Sequence, residues 1–249
     1  MAMDGTQKIV QRLTKHLDIS THLRVVAKAD SGTRKRRQHL RTWQAGRLAR
    51  THADLLANPR FGLAASFFLT EVYSTKDVSK RDEEVKRAVP AMTTFLPVSA
   101  LETVADVIEL DALSEDLDAA MVVALGARVT TIDAATYGCA YRKVDRRKDR
   151  VRQIYLVKHL GQSLDRLANR RFAGTALVLM RKPAQIAGFG DLHGFLERGY
   201  AAVHTMGSIE EFLTLVVDRE RRILKAVFAG DDSLLSEVSA PRADSQARG

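Results

Sequence analysis

Apolar residues return every three or four positions along nearly the whole chain, the period of a helix with one buried face. Ile9, Val10, Leu13 and Leu17 form a first short stripe. Arg34 to Leu56 reads as one long helix with Leu40, Trp43, Leu48, His52, Leu55 and Leu56 near one side. Asn58-Pro59 ends it, because a residue before proline is pushed out of the α region. A short helix with Phe61, Ala65, Phe68, Leu69 and Val72 follows. Ser79 and Asp82 resemble a capping box for a helix whose apolar face is Val85, Val89, Met92 and Leu96, and Pro90 is expected to kink or split it. Ser99 and Glu102 make a full capping box for a helix running to Asp111 and resuming after Ser114, with Gly126 as its stop.

Thr131 or Asp133 caps the next segment, which holds Tyr137 and Tyr141. A charged helix then spans about residues 145–167, with Ile154, Val157, Leu160 and Leu164 inward. Phe172 to Met180 is short and apolar, and suits a buried strand as well as a buried helix. Lys182-Pro183 marks a break, Asp191 caps a helix through Met206, and Ser208 with Glu211 opens another to about Phe228. After Gly230 the chain turns to Asp, Ser, Ala and Arg, the composition of a disordered tail. The expected fold is all-α: a single compact bundle of about eight or nine helices over residues 1–230, with a tail at 231–249.

Composition narrows this modestly. A chain of 249 residues, 45% apolar and 28% charged, buries a core as one large domain or two small ones. The longest apolar runs, 119–125 and 172–180, fall short of the roughly 18 residues of a membrane span, so no such span is expected. The opening residues lack the apolar stretch of a secretory leader, and a cytoplasmic, bacterial-type protein is the simplest expectation. The one cysteine, Cys139, excludes an internal disulfide framework, and its apolar helical setting reads as a buried thiol. The net charge of +9 is unevenly spread. Lys28 to Arg50 holds eight bases and one acid, Arg142 to Arg152 seven bases and two acids, and Glu102 to Asp118 seven acids and no base. The basic segments therefore either lie against the acidic one or face solvent.

Chemistry concentrates in Phe67–Pro97, where two phenylalanines lead into a dense acid–base cluster. A polar site at a pocket edge would draw on Glu71, Tyr73, Asp77, Arg81 and Asp82, with His52 opposite on its apolar face; Asp82, Glu83 and Glu84 also suit a helix start. His193, Glu197 and His204 share one stripe of a helix with Tyr200 and form a candidate metal set for zinc or iron, although that stripe borders an apolar one. Arg34, Lys35, Arg36, Arg37 and Arg41 form a candidate anion or nucleic-acid patch, with only Trp43 as an aromatic neighbour. The chain has no phosphate-binding loop, dinucleotide fingerprint, nucleophile elbow or H-E-x-x-H motif, and no cofactor is expected. Three functional readings remain: association with a protein partner or a second copy first, then a helical-bundle enzyme or small-ligand or metal binder with a buried polar pocket, and third a basic nucleic-acid binder.

Overall fold

A computed structural model describes residues 5–72, 79–169 and 173–239. Among them are eleven α-helices and no strand. They are α1 (Gly5–Ala29), α2 (Ser31–Thr51), α3 (Ala53–Ala57), α4 (Gly62–Phe67), α5 (Ser79–Phe95), α6 (Val98–Leu125), α7 (Ala134–Val144), α8 (Arg147–Ala168), α9 (Ala173–Ile186), α10 (Gly190–His204) and α11 (Glu210–Phe228). A π-helical turn covers Phe68–Val72 and a 3-10 turn Ser233–Leu235. The all-helical expectation holds, with more helices than the eight or nine expected.

The axis of the molecule is α6, whose 28 residues span about 42 Å at 1.5 Å per residue. It is unbroken where the sequence pattern anticipated a pause at Asp111–Ser114. Residues on several of its faces are buried, from Leu101 and Ala105 to Leu117, Met121 and Val122. Such a helix is hydrophobic all round apart from its acids, as a central helix must be. One side of its first half packs with α1 and α5 through Leu13, Leu17, Val85, Leu101 and Ile108. Its middle meets Leu156 and Leu160 of α8 through Leu110. Its last turns join Leu40 of α2, Tyr137 of α7 and Val227 of α11. A further cluster beyond α8 unites Phe61, Phe67, Met206, Phe212 and Leu213 from α4, α10, α11 and their flanks.

Local signals were legible where a side chain closes a helix on itself. Asp133 accepts from the Thr136 amide at 2.7 Å and caps α7, and Asp30 does the same for α2 through Thr33 at 2.6 Å. Other boundaries moved for tertiary reasons. The long helix expected over 34–56 starts earlier and breaks at His52, which is the last cap of α2 and the first of α3. There the Thr51 carbonyl accepts from Arg219 Nη1 at 3.1 Å and from Ser239 Oγ at 2.7 Å, and the Arg50 carbonyl accepts from the Ser239 amide at 3.1 Å. Those partners take carbonyls that a continuous helix would use itself. The same contacts carry the packed chain past residue 230, because Leu235 is 1% exposed and 231–239 folds back on the body. The part of the expected tail at 240–249 lies outside the described residues.

Pro90 and Pro183 both sit inside helices, α5 and α9, so Pro90 does not split its helix and Pro183 does not end one. The Pro90 carbonyl accepts from the hydroxyls of Thr93 (2.8 Å) and Thr94 (3.0 Å). The ambiguous Phe172–Met180 segment is helical from Ala173, and none of the described residues of α9 is buried. Ser99 does not cap α6, which begins one residue earlier after Pro97. Cys139 is exposed, contrary to the buried thiol expected, because it falls on the outer face of α7 while Tyr137 and Ala140 face in.

Candidate functional site

The acids of α6 decide where the basic segments go. Glu115 is buried and meets three guanidinium groups: Arg24 at 3.2 Å, Arg41 at 2.5 Å, and Arg37. Arg24 also reaches Asp111 at 2.6 Å, and Arg41 reaches Asp118 at 2.9 Å. Further along α6, Arg12 pairs with Asp106 (2.7 Å) and Glu109 (3.0 Å), and Arg152 with Glu109 (2.7 Å). Burial, reinforced by the neighbouring Arg41 charge, lowers Arg37 to about 10. The proposed basic patch is therefore divided: Arg37 and Arg41 turn inward, Arg36 bonds Thr33 at 2.8 Å, and Arg34 and Lys35 face solvent.

A second buried polar group sits at the α2–α3 corner. His52 Nε2 lies 3.2 Å from Glu220 Oε1 on α11, and Arg47 Nη1 lies 2.5 Å from the same oxygen. Burial alone would raise the Glu220 carboxyl, but the Arg47 charge and the His52 hydrogen bond outweigh it and hold the group at about 2. An ionised Glu220 accepts, so His52 Nε2–H donates and Nδ1 is the unbonded nitrogen of the ring. His52 Nδ1 and Arg47 Nε are both sealed from solvent without a hydrogen-bond partner among the described residues. Trp43 stacks on Tyr137 with ring centres 4.2 Å apart, and Arg150 lies over Tyr141 at 4.6 Å. Burial raises the Tyr141 phenol well above its ordinary value, so it remains an O–H donor.

Arg47, His52, Tyr137, Tyr141, Arg150 and Glu220 border one cavity of about 420 Å³. Its polar walls include Gln44, Arg47, Ser114, Tyr137, Tyr141, Arg150, Gln153 and Glu220 from α2, α6, α7, α8 and α11, beside the charge cluster of Arg24, Arg41, Asp111, Glu115 and Asp118. Its apolar walls include Phe67, Phe68, Leu164, Phe195 and Phe212 from α4, the π-turn, α8, α10 and α11. The π-turn places Phe68 and Leu69 in this wall, and such turns recur at functional sites.

The sequence-based candidates fare unevenly. His52 is at the site, and the carboxylate it meets among the described residues is Glu220. Tyr73 and Asp77 lie outside the described residues, as do the side chains of Glu71, Arg81 and Asp82. Glu84, from the same acid run, is buried on α5 and accepts from the Leu192 amide at 2.8 Å, near the start of α10. The candidate metal set comes together in part: His193 Nδ1 lies 3.7 Å from Glu197 Oε2, while His204 is turned to Tyr200. His193 Nε2 donates to the Leu177 carbonyl at 2.9 Å, and Glu197 pairs with Arg181 at 2.8 Å. Among the described residues no group of three or more His, Cys, Asp or Glu could hold a metal ion.

Arg47 and Glu220 escaped the sequence reading, and Tyr141 and Arg150 were not among its site residues, yet a signal existed. Glu220 falls on the stripe Leu213, Val217, Leu224 and Val227, and Arg150 on the stripe Ile154, Val157 and Leu164. A charge at a core position is rarer and more informative than a charged run. No helix among the described residues is long and apolar enough to cross a membrane.

No curated protein and no solved structure matches the chain. A family model described as Domain of unknown function (DUF8198) matches residues 23–234, a span that takes in the whole cavity wall apart from Leu235. The chain belongs to that family.

Proposed function

We propose that the protein binds a small molecule with an apolar body inside its helical bundle. The cavity carries this reading. Protein interiors close to crystal density and leave few voids larger than a water molecule. A space of about 420 Å³ is instead in the range of ligand sites, roughly 300–1,000 Å³. Its walls have the usual make-up of such sites, mostly aliphatic and aromatic with a few polar groups gathered together.

Trp43 is the one tryptophan and stacks on the wall residue Tyr137, so its emission reports on the cavity. Titration with 1-dodecanol should change that emission saturably, at one molecule per chain. Leu164→Trp, read by ligand tritium counts rather than emission, should fill the apolar end and abolish binding while circular dichroism keeps its helical form. Overpacking of this kind costs about 1–3 kcal/mol, which a folded chain of this size tolerates. Non-saturable uptake, or unchanged binding by the filled variant, would refute the cavity as the site.

A second reading, association with another copy, is favoured by α9. Leu179 and Ile186 stand seven residues apart on that helix and are 71% and 88% exposed. Apolar side chains this open on one helix are the usual mark of a contact surface.

A further inference from the structure

The charges around the cavity do not all cancel. Arg24, Arg37 and Arg41 share Asp111, Glu115 and Asp118, while Arg47 holds Glu220. Arg150 has no carboxylate within ion-pair distance among the described residues. Its Nη1 donates to the neutral Gln153 Oε1 at 3.1 Å, and its guanidinium rests 4.6 Å from the Tyr141 ring centre. Its Nη2 is closed off from solvent and makes no hydrogen bond among the described residues.

A guanidinium keeps its charge at any pH at which proteins fold. Arg150 is half-buried, and drawing its charge partly out of water without a counter-charge carries a desolvation cost that a cation–π contact offsets only in part. The balance is restored by an anion arriving from the cavity. Tyr141 borders the same space, and burial keeps its hydroxyl protonated and able to donate. Along α8 the wall then changes from Arg150 to Leu164, a distance of about 21 Å at 1.5 Å per residue. Beyond it stand Phe67, Phe195 and Phe212.

We infer that the ligand is an amphipathic acid: its carboxylate pairs with Arg150 at the α7–α8 end, and its unbranched apolar body extends toward the phenylalanines. This rests on the cavity being the binding site. The planar fork of arginine suits a carboxylate better than a point cation would.

The experiment compares dodecanoate with 1-dodecanol, two probes of equal chain length, by calorimetry on the full chain and on Arg150→Gln. A charge-assisted hydrogen bond is worth about 1.5–3 kcal/mol, so wild type should prefer the acid by roughly tenfold to a hundredfold. Arg150→Gln should bring the two affinities together by weakening the acid alone. Because the variant removes an unpaired charge, it should melt no lower than wild type without ligand. Arg150→Lys, which keeps the charge and loses the fork, should fall between the two. Equal binding of acid and alcohol by wild type overturns the anion anchor and leaves the cavity reading standing. An acid preference that survives in Arg150→Gln overturns the role of Arg150. Saturable binding of neither probe overturns both this inference and the cavity reading.

Discussion

Glu220 shows how one side chain governs a buried corner. It is acceptor to both Arg47 and His52, and its carboxyl is held at about 2 against an ordinary 4.5. A folded-state value below the unfolded one stabilises the fold above the unfolded value and loses that contribution as pH falls toward the folded one. The window is therefore between about pH 5 and pH 2, and the contribution is on the order of 3 kcal/mol. Glu220→Gln should flatten that part of the acid limb in melts followed by circular dichroism from pH 6 to pH 2.5. At neutral pH the same variant leaves Arg47 buried without its counter-charge, and should lose about 3–5 kcal/mol, or roughly 6–20 °C in melting temperature. A neutral-pH melt equal to wild type would mean that water reaches Arg47 and the corner is not sealed. The histidine half of this pair was legible, because His52 sits among leucines in a helical pattern. Its partner was not, since 168 residues separate the two and only the folded α11 brings them together.

Between helices, the closest approaches are set by missing side chains. At Gly161 of α8 an added Cβ would stand 2.5 Å from Leu213 Cδ2 on α11, and Leu213 is fully buried. At Gly46 of α2 an added Cβ meets only the Arg50 Nη1 tip at 3.4 Å. Alanine gains about 1 kcal/mol over glycine in a helix interior, while overpacking costs about 1–3 kcal/mol. The two substitutions should therefore differ in sign: Gly46→Ala raises the urea midpoint and Gly161→Ala lowers it. Equal shifts would show that α11 yields to α8 without strain. At this scale the sequence announced helices far better than it announced their ends. Periodicity identified the apolar faces of α5 and α8, and Asp133 marked the start of α7, because those signals depend on neighbours three or four residues away. The α2–α3 break, the continuity of α6 and the docking of 231–239 depend on Arg219, Ser239 and Leu235, which reach their partners only after the chain has folded.

Across the whole molecule, burial sorts the charges and leaves one helix over. Arg37 and Arg41 of α2, Arg12 and Arg24 of α1 and Arg152 of α8 fold onto the acids of α6, so part of a run of like charge in the sequence became a set of internal pairs. Pairs of this kind add little net stability, since desolvation offsets their attraction, and their effect is to fix which face of α1 and α2 meets α6. By contrast α9 is held to α10 by polar ties, His193 to the Leu177 carbonyl and Arg181 to Glu197, and its apolar side chains point outward. A second copy laying its own α9 against this one would cover them in a two-fold arrangement, the commonest form of association for soluble chains. Light scattering over a dilution series should then show a dimer that dissociates on dilution. Leu179→Glu with Ile186→Glu should give a monomer at every concentration. Because neither residue is buried within the chain, each exchange should change the stability of the monomer by no more than about 0.5 kcal/mol. The double variant should also bind 1-dodecanol as wild type does, since neither residue borders the cavity. A wild type that stays monomeric up to its solubility limit would rule out the α9 contact, and would leave that helix as a surface awaiting a different partner.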